Sequence, residues 1–394
     1  MTSINETQPV LNGVRVVNAG QILAAPFCAT ILAEFGAEVI KVERPDGGDP
    51  TRGGLRFEQE NRGHKGVTLN LKSTAGQSLF RRLCNTADIL VENYRPGTLE
   101  KFGLSPETLR ETNPGLVVVR ISGYGQTGPY SKRASVDRVA LGFSGITALT
   151  GDPDRRPVRP GYSIADYTAG IFAAFGALAA LRVRDRTGQG QDVDVALYEA
   201  VWKMSGVTAA TYGREQKERQ RSGNFQPGVV PAEQFETADG HYLIISAPTR
   251  PLFKSLCKVM GQPEIASDPR FDTREKVNAD PDEIHNIVNA WVCAHSLEEC
   301  LNRLNEAGIP ASKVYSMNDI VNDPHYEARE QIVTIDSEPF GPIIQPGIVP
   351  RLEQTPGKVG GRAPLIGEHN EEIYGGILGL SREELASLDS DNII

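Results

Sequence analysis

Asp166 is the side chain in this sequence best placed to do chemistry. It sits in Gly161-Tyr-Ser-Ile-Ala-Asp-Tyr-Thr-Ala-Gly170, directly before the apolar run Ile171 to Leu181. That arrangement predicts a helix with Asp166 in its first turn. A helix N-terminus carries unpaired N–H groups and partial positive charge, which favour an ionised acid. A positioned carboxylate can attack an activated carbonyl and form a covalent acyl species. The same residue type at the same position also fits a plain helix cap, and the stretch alone does not separate the two roles.

The other usual chemistries lack their residues. Asn18-Ala-Gly-Gln21 is not Gly-x-Gly-x-x-Gly, so a nicotinamide or flavin dinucleotide site is not expected. There is no Walker-type phosphate loop and no Gly-x-Ser-x-Gly elbow. The histidines (His64, His241, His285, His295, His325 and His369) show no metal-ligand spacing, and no metal site is expected. Cys28, Cys84, Cys257, Cys293 and Cys300 form no Cys-x-x-Cys pair and read as reduced thiols of a cytoplasmic protein.

The elements that must position Asp166 follow from size and periodicity. A chain of 394 residues exceeds one ordinary core, so two domains are expected. The net charge of −9 argues against nucleic-acid partners, and it requires a local basic cluster for any anionic ligand. No signal-peptide pattern opens the chain, and Thr168 to Leu181 is too short to span a bilayer, so it reads as a buried helix with no membrane role. Strand and helix patterns alternate over the first 125 residues: strands at Val14–Asn18, Glu38–Glu43, Asp88–Glu92 and Leu116–Ile121, and helices at Ala24–Phe35 and Gln77–Ala87. This predicts an α/β fold with a parallel sheet covered on both faces. Polar Gly/Pro-rich segments follow those strands, where such sheets bind ligands. Asp192–Leu197 reads as a further strand and Tyr198–Tyr212 as one helix. The expected layout is a large α/β domain beginning with residues 1–225, a small α+β domain over 232–335, and a segment 340–394 returning to the large domain.

Taken together, several segments resemble the family III CoA-transferases (CaiB/BaiF), a group that includes formyl-CoA and carnitine CoA-transferases and shares its fold with the α-methylacyl-CoA racemases. They are Phe35-Gly-Ala-Glu-Val-Ile-Lys-Val-Glu-Arg-Pro45, Leu69-Asn-Leu-Lys72, Val91-Glu-Asn-Tyr-Arg-Pro-Gly97, Ser122-Gly-Tyr-Gly-Gln-Thr-Gly-Pro129, Ala165-Asp-Tyr-Thr-Ala-Gly170, Thr187-Gly-Gln-Gly-Gln-Asp-Val-Asp194 and Ala363-Pro-Leu-Ile-Gly-Glu-His369.

The resemblance implies a Rossmann-like large domain with a smaller inserted α+β domain, an interlocked homodimer, and transfer of CoA from an acyl-CoA to a small carboxylic acid, with CoA as co-substrate and no resident cofactor. It makes Asp166 the nucleophile, supported by Asp137, Gln21 and Gly228, and assigns CoA binding to Arg44, Leu69, Lys72, Asn93, Tyr94 and Lys101. Val136 stands where the racemase branch carries a histidine acid/base, which favours a transferase over a 2-methylacyl-CoA racemase; a non-catalytic acyl-CoA-binding protein is the third reading. Leu23 replaces the glutamine of formyl-CoA transferases, and the Asn224–Pro231 loop holds only Gly228. Both point away from oxalate, toward a C4–C5 dicarboxylate or a larger organic acid, with succinyl-CoA as donor.

Overall fold

The structure is a computed structural model that describes residues 8–394. Its central sheet has six strands: β1 (Arg15–Asn18), β2 (Glu38–Glu43), β3 (Lys65–Thr68), β4 (Ile89–Glu92), β5 (Val117–Ser122) and β6 (Asp192–Ala196). Their order is β3-β2-β1-β4-β5-β6, and every pair runs parallel. β4 and β5 are buried along their whole length, as Val/Ile-rich strands covered on both faces must be. Successive residues point to opposite sides. Val16, Ile89 and Val117 enter one core, and Val17, Leu90 and Val118 enter the other.

Strand order reverses between β1 and β4, which leaves a crevice beyond their C-terminal ends. The sequence patterns located five of these six strands. They missed β3, whose Gly66 interrupts the apolar alternation. A Cβ at Gly66 would come within 2.9 Å of Leu365 O and Pro364 Cβ, so a bare backbone is needed where the tail crosses the strand.

The described residues form two compact units. One gathers residues 8–147, Arg159–Glu215 and His325–Ile394; the other gathers Ala148–Val158 and Gln216–Pro324. The second unit carries a three-stranded antiparallel sheet (Ala232–Glu236, Tyr242–Ser246, Ala311–Lys313) and the helices Arg250–Val259, Pro281–Val292 and Leu297–Glu306. Phe235, Leu243, Leu256 and Trp291 contribute to its own core. The single helix expected over Tyr198–Tyr212 is two, Leu197–Lys203 and Thr208–Glu215, because Ser205 and left-handed Gly206 turn the chain between them.

In the first unit, helix α1 (Ala24–Glu34) packs against a helix of 24 residues, Ile164–Thr187. The long helix turns small residues inward: Ala165, Ala169, Ala173 and Ala177 are buried at helical spacing. At Gly170 a Cβ would lie 2.8 Å from Phe27 Cδ1 and 3.0 Å from Ala24 O, so the two backbones approach too closely for any side chain. The large apolar residues face outward, with Ile171 54% and Phe175 68% exposed. The sequence expectation of a buried helix is therefore corrected: the alanine face is buried and the large-residue face is not. By length and composition this is the one helix among the described residues that could cross a bilayer. Gly188, at φ 73°, ends it.

One buried ion pair organises the loop after β1. Lys41, in the middle of β2, donates to Asp49 Oδ2 at 2.9 Å and to Gly20 O at 2.5 Å, and both charged side chains are fully buried. The same Asp49 Oδ2 accepts the N–H of Ile22 at 3.1 Å, and Asp49 Oδ1 accepts from Thr51 N and Oγ1. Ile22 sits at φ 68°, a left-handed conformation that a β-branched residue adopts only when its surroundings enforce it. Burial alone would raise the Asp49 pKa, but the Lys41 charge and the Thr51 hydrogen bonds outweigh it and hold it below the ordinary value. Lys41→Met is expected to lose about 3–5 kcal/mol against urea at pH 7, because Asp49 is left buried without its counter-charge. A loss below about 1 kcal/mol would show that the pair does not anchor the loop.

Candidate active site

Asp166 is the third residue of the long helix, and the structure shows what caps that helix. Ser163, in the N-cap position, makes no capping hydrogen bond. The cap comes from another element. Asp137, the first residue of the helix Asp137–Phe143, accepts the N–H of Ala165 at 2.9 Å and that of Asp166 at 3.4 Å on one oxygen, Oδ1. The N–H groups that a cap must satisfy are thus taken by a different carboxylate. Among the described residues, the Asp166 carboxylate makes no hydrogen bond or ion pair of its own. A half-buried carboxylate with no structural duty is one available for reaction.

The electrostatics around it are set by three neighbours. Burial, then the negative charge of Asp137, push the Asp166 pKa up to about 7; Arg56 lowers it and Glu60 raises it. The helix N-terminus alone favours the ionised acid, but burial and Asp137 outweigh that preference. Glu60 comes from α2 (Leu55–Glu60) and accepts the Tyr167 hydroxyl at 2.8 Å. Burial pushes its own pKa up to about 7. Tyr167 in turn stacks edge-on against Phe27 of α1, with ring centroids 4.9 Å apart. Asp166 is therefore an acid whose charge state changes near neutrality, held between a capping carboxylate on one side and the α2 pair Arg56/Glu60 on the other.

A second feature lies at the strand-order switch. Residues at the C-terminal ends of β1 to β4 line one cavity, and among them are five of the residues expected from sequence: Gln21, Arg44, Leu69, Lys72 and Tyr94. Arg44 makes only a 3.4 Å contact to Gly48 O and a 3.9 Å pairing with Asp46, which leaves most of its guanidinium available to an anion. Lys72 is exposed beside it. Asn93 does not line the cavity but builds it: its side chain accepts from Gln21 N and donates to Gln21 O, both at 2.8 Å. A Cβ at Gly20 would lie 2.2 Å from Ala25 Cβ and 3.2 Å from Asn93 Oδ1, so this loop needs glycine there. The segment from Gln21 to Ala24 runs from the cavity to Gly170, one turn beyond Asp166.

Not every expected residue joins this assembly. Lys101 is exposed at the end of a short helix, Thr98–Lys101, and does not line the cavity. Gly228 lies in the second unit, at φ 79°. Leu23 is 1% exposed, and the exposed residue of that loop is Ile22. Sequence reasoning passed over Lys41, Asp49, Arg56 and Glu60. The lysine inside the apolar run of β2 was the available signal. α2 carries none, being too short to show a periodic pattern.

Known proteins resemble this chain over nearly its whole length. The family model described as CoA-transferase family III matches residues 11–370. The chain is 41% identical to the succinyl-CoA–D-citramalate CoA-transferase of Chloroflexus aurantiacus, over 100% of both chains. It is 33% identical to the succinate–glutarate CoA-transferase of Agrobacterium fabrum, over 95% of this chain and 97% of that protein. Among solved structures, a CaiB/BaiF family protein from Brucella suis superposes with a TM-score of 0.83 at 32% identity, covering 94% of this chain and 100% of that one. The chain belongs to the family III CoA-transferases and is a CoA-transferase enzyme.

The Asp166 environment has a consequence for stability. Its folded pKa lies above that of an exposed aspartate, so the folded state holds a proton that the unfolded state releases between about pH 4 and pH 7. Stability attributable to this group is full below pH 4, falls as pH rises to about 7, and stays low above. Asp166→Asn removes the penalty, so thermal unfolding at pH 8 is expected at a higher temperature than for the native chain, with the gap closing toward pH 4.5. An Asn variant less stable at both pH values would contradict the environment described.

Proposed function

We propose that this chain moves CoA from succinyl-CoA to a dicarboxylic acid of malate or glutarate size, through covalent species on Asp166. The observation that carries this reading is the uncommitted Asp166 carboxylate on a helix whose cap Asp137 supplies. The relatives named for D-citramalate and glutarate support the choice of acid.

In the proposed sequence, the Asp166 carboxylate attacks the thioester carbonyl; the C–S bond breaks, CoA leaves as thiolate, and an aspartyl–acyl anhydride forms. The thiolate attacks the aspartyl carbonyl, expels the donor acid as its carboxylate, and leaves an aspartyl-CoA thioester. The acceptor carboxylate displaces the thiolate from that thioester, giving a second anhydride. The thiolate then takes the acceptor acyl group and frees Asp166. Each covalent species keeps the energy of the original thioester, so no separate energy source enters. Each also hydrolyses if water reaches it, which a half-buried position opposes. The Asp166 environment places the change to the attacking ionised form near neutral pH. Arg44 and Lys72 in the strand-end cavity supply cations for the phosphates of CoA. Val136 offers no proton-transfer group beside Asp137, which weighs against an isomerase acting at the substrate α-carbon.

The same reading takes a second copy of this chain to cover the apolar face of Ile171, Phe175 and Leu178, which lies with Val10 and Val349 in one apolar depression. Light scattering is expected to give twice the mass of the 42.8 kDa chain; a monomer at micromolar concentration would contradict it. Asp166→Ala is expected to lose CoA exchange between succinyl-CoA and labelled succinate by at least about 10³-fold with the fold intact. Hydroxylamine added during turnover of the native enzyme is expected to modify Asp166, read by peptide mass spectrometry. Full exchange by the alanine variant would overturn the mechanism.

A further inference from the structure

We infer that Arg56 grips the far carboxylate of a dicarboxylic acyl group while its near carboxyl reacts at Asp166, so that α2 sets the preference for diacids; this rests on the CoA-transfer reading above. Arg56 and Glu60 stand four residues apart on α2 and therefore share one face of it. Glu60 on that face holds the hydroxyl of Tyr167, the neighbour of Asp166, so the face that Arg56 occupies is turned toward the nucleophile.

The arginines flanking Arg56 are already committed. Arg52 pairs with Glu43 and also donates to Pro364 O at 3.2 Å. Arg62 pairs with Glu34 and donates to Gln345 and to Pro346 O. Arg56 is exposed, and among the described residues it has no hydrogen bond or ion pair. The nearby carboxylates do not hold it: Glu60 accepts from Tyr167 and Gln59, and Asp137 accepts from the helix N–H groups.

A free guanidinium near the Asp166 and Glu60 carboxylates leaves a place for one more anion. CoA does not supply that anion. Its phosphates sit at the far end of a long pantetheine arm from the thioester, and the cavity with Arg44 and Lys72 offers cations for them. The charge that must lie close to a reacting carboxyl of a diacid is the diacid's other carboxylate. The planar fork of arginine matches a carboxylate through two parallel hydrogen bonds, and it discriminates strongly against an analogue lacking that group.

The test compares two isotope exchanges at pH 8.5, where Asp166 is ionised: labelled succinate into succinyl-CoA, and labelled butyrate, of the same chain length, into butyryl-CoA. The native enzyme is expected to favour succinate in kcat/KM. Arg56→Gln is expected to lower the succinate-to-butyrate ratio about 10–100-fold, with most of the loss in the KM for succinate, and Arg56→Lys to recover part of it. A ratio unchanged in both variants, with equal losses for both acids, would mean that Arg56 only tunes the charge of Asp166 and would overturn the proposal. Absence of any exchange by the native enzyme would instead defeat the CoA-transfer reading on which the proposal rests, so the two failures are distinct.

Discussion

A helix can have its N-terminal N–H groups satisfied by a residue of its own or by one borrowed from elsewhere, and the chemistry proposed here depends on the borrowing. Asp137 reaches across from its own helix and takes the N–H groups of Ala165 and Asp166. Had Asp166 done this work itself, the acid would be spent on structure. The borrowed cap also places a second negative charge near the first, which helps lift the Asp166 pKa toward neutrality. The same contact thus leaves the carboxylate unbonded and makes its charge sensitive to pH. The cost falls on stability, as is common where a reactive group is held in an unfavourable environment.

Everything else brings other groups to that point. The reversal of strand order between β1 and β4 opens a crevice, and the buried Lys41–Asp49 pair fixes the chain that leaves β1 for it. Asn93, arriving from β4, clamps the same loop from the opposite side through both backbone groups of Gln21. The loop then enters α1, whose backbone lies against Gly170. The strand-end cavity and the acid are thereby joined by one connection, built from a sheet edge, a left-handed turn at Ile22 and a glycine-mediated helix contact. α2 adds the remaining charges, with Glu60 joined to the helix of Asp166 through Tyr167.

Much of this was legible in the sequence for a physical reason. The interior strands are continuous apolar runs, and helices packed on them show their period, so the parallel sheet and the segments at its C-terminal edge could be read directly. Asp166 stood out because a carboxylate preceding a long apolar helix is conspicuous. What stayed hidden depends on pairing across distance. Nothing local to Asp137 tells that it caps a helix beginning 27 residues later, at Ile164. Lys41 in an apolar strand hinted at a buried partner, but Asp49 lies in a loop where acids are ordinary. α2 has too few residues for periodicity, so Arg56 and Glu60 had no pattern to betray them. The long helix misled in another way: its inward face is alanine, and the bulky residues that usually mark a core point outward.

The proposed route through Asp166 would leave an isotopic trace. When an acceptor carboxylate labelled with oxygen-18 displaces CoA from the aspartyl thioester, its oxygen bridges the second anhydride. Transfer of the acyl group to CoA then leaves that oxygen on the aspartate. Mass spectrometry of the peptide containing Asp166, after turnover with ¹⁸O-succinate and succinyl-CoA, is expected to show heavy oxygen confined to that carboxylate. An unlabelled peptide after many turnovers would contradict covalent catalysis by this residue.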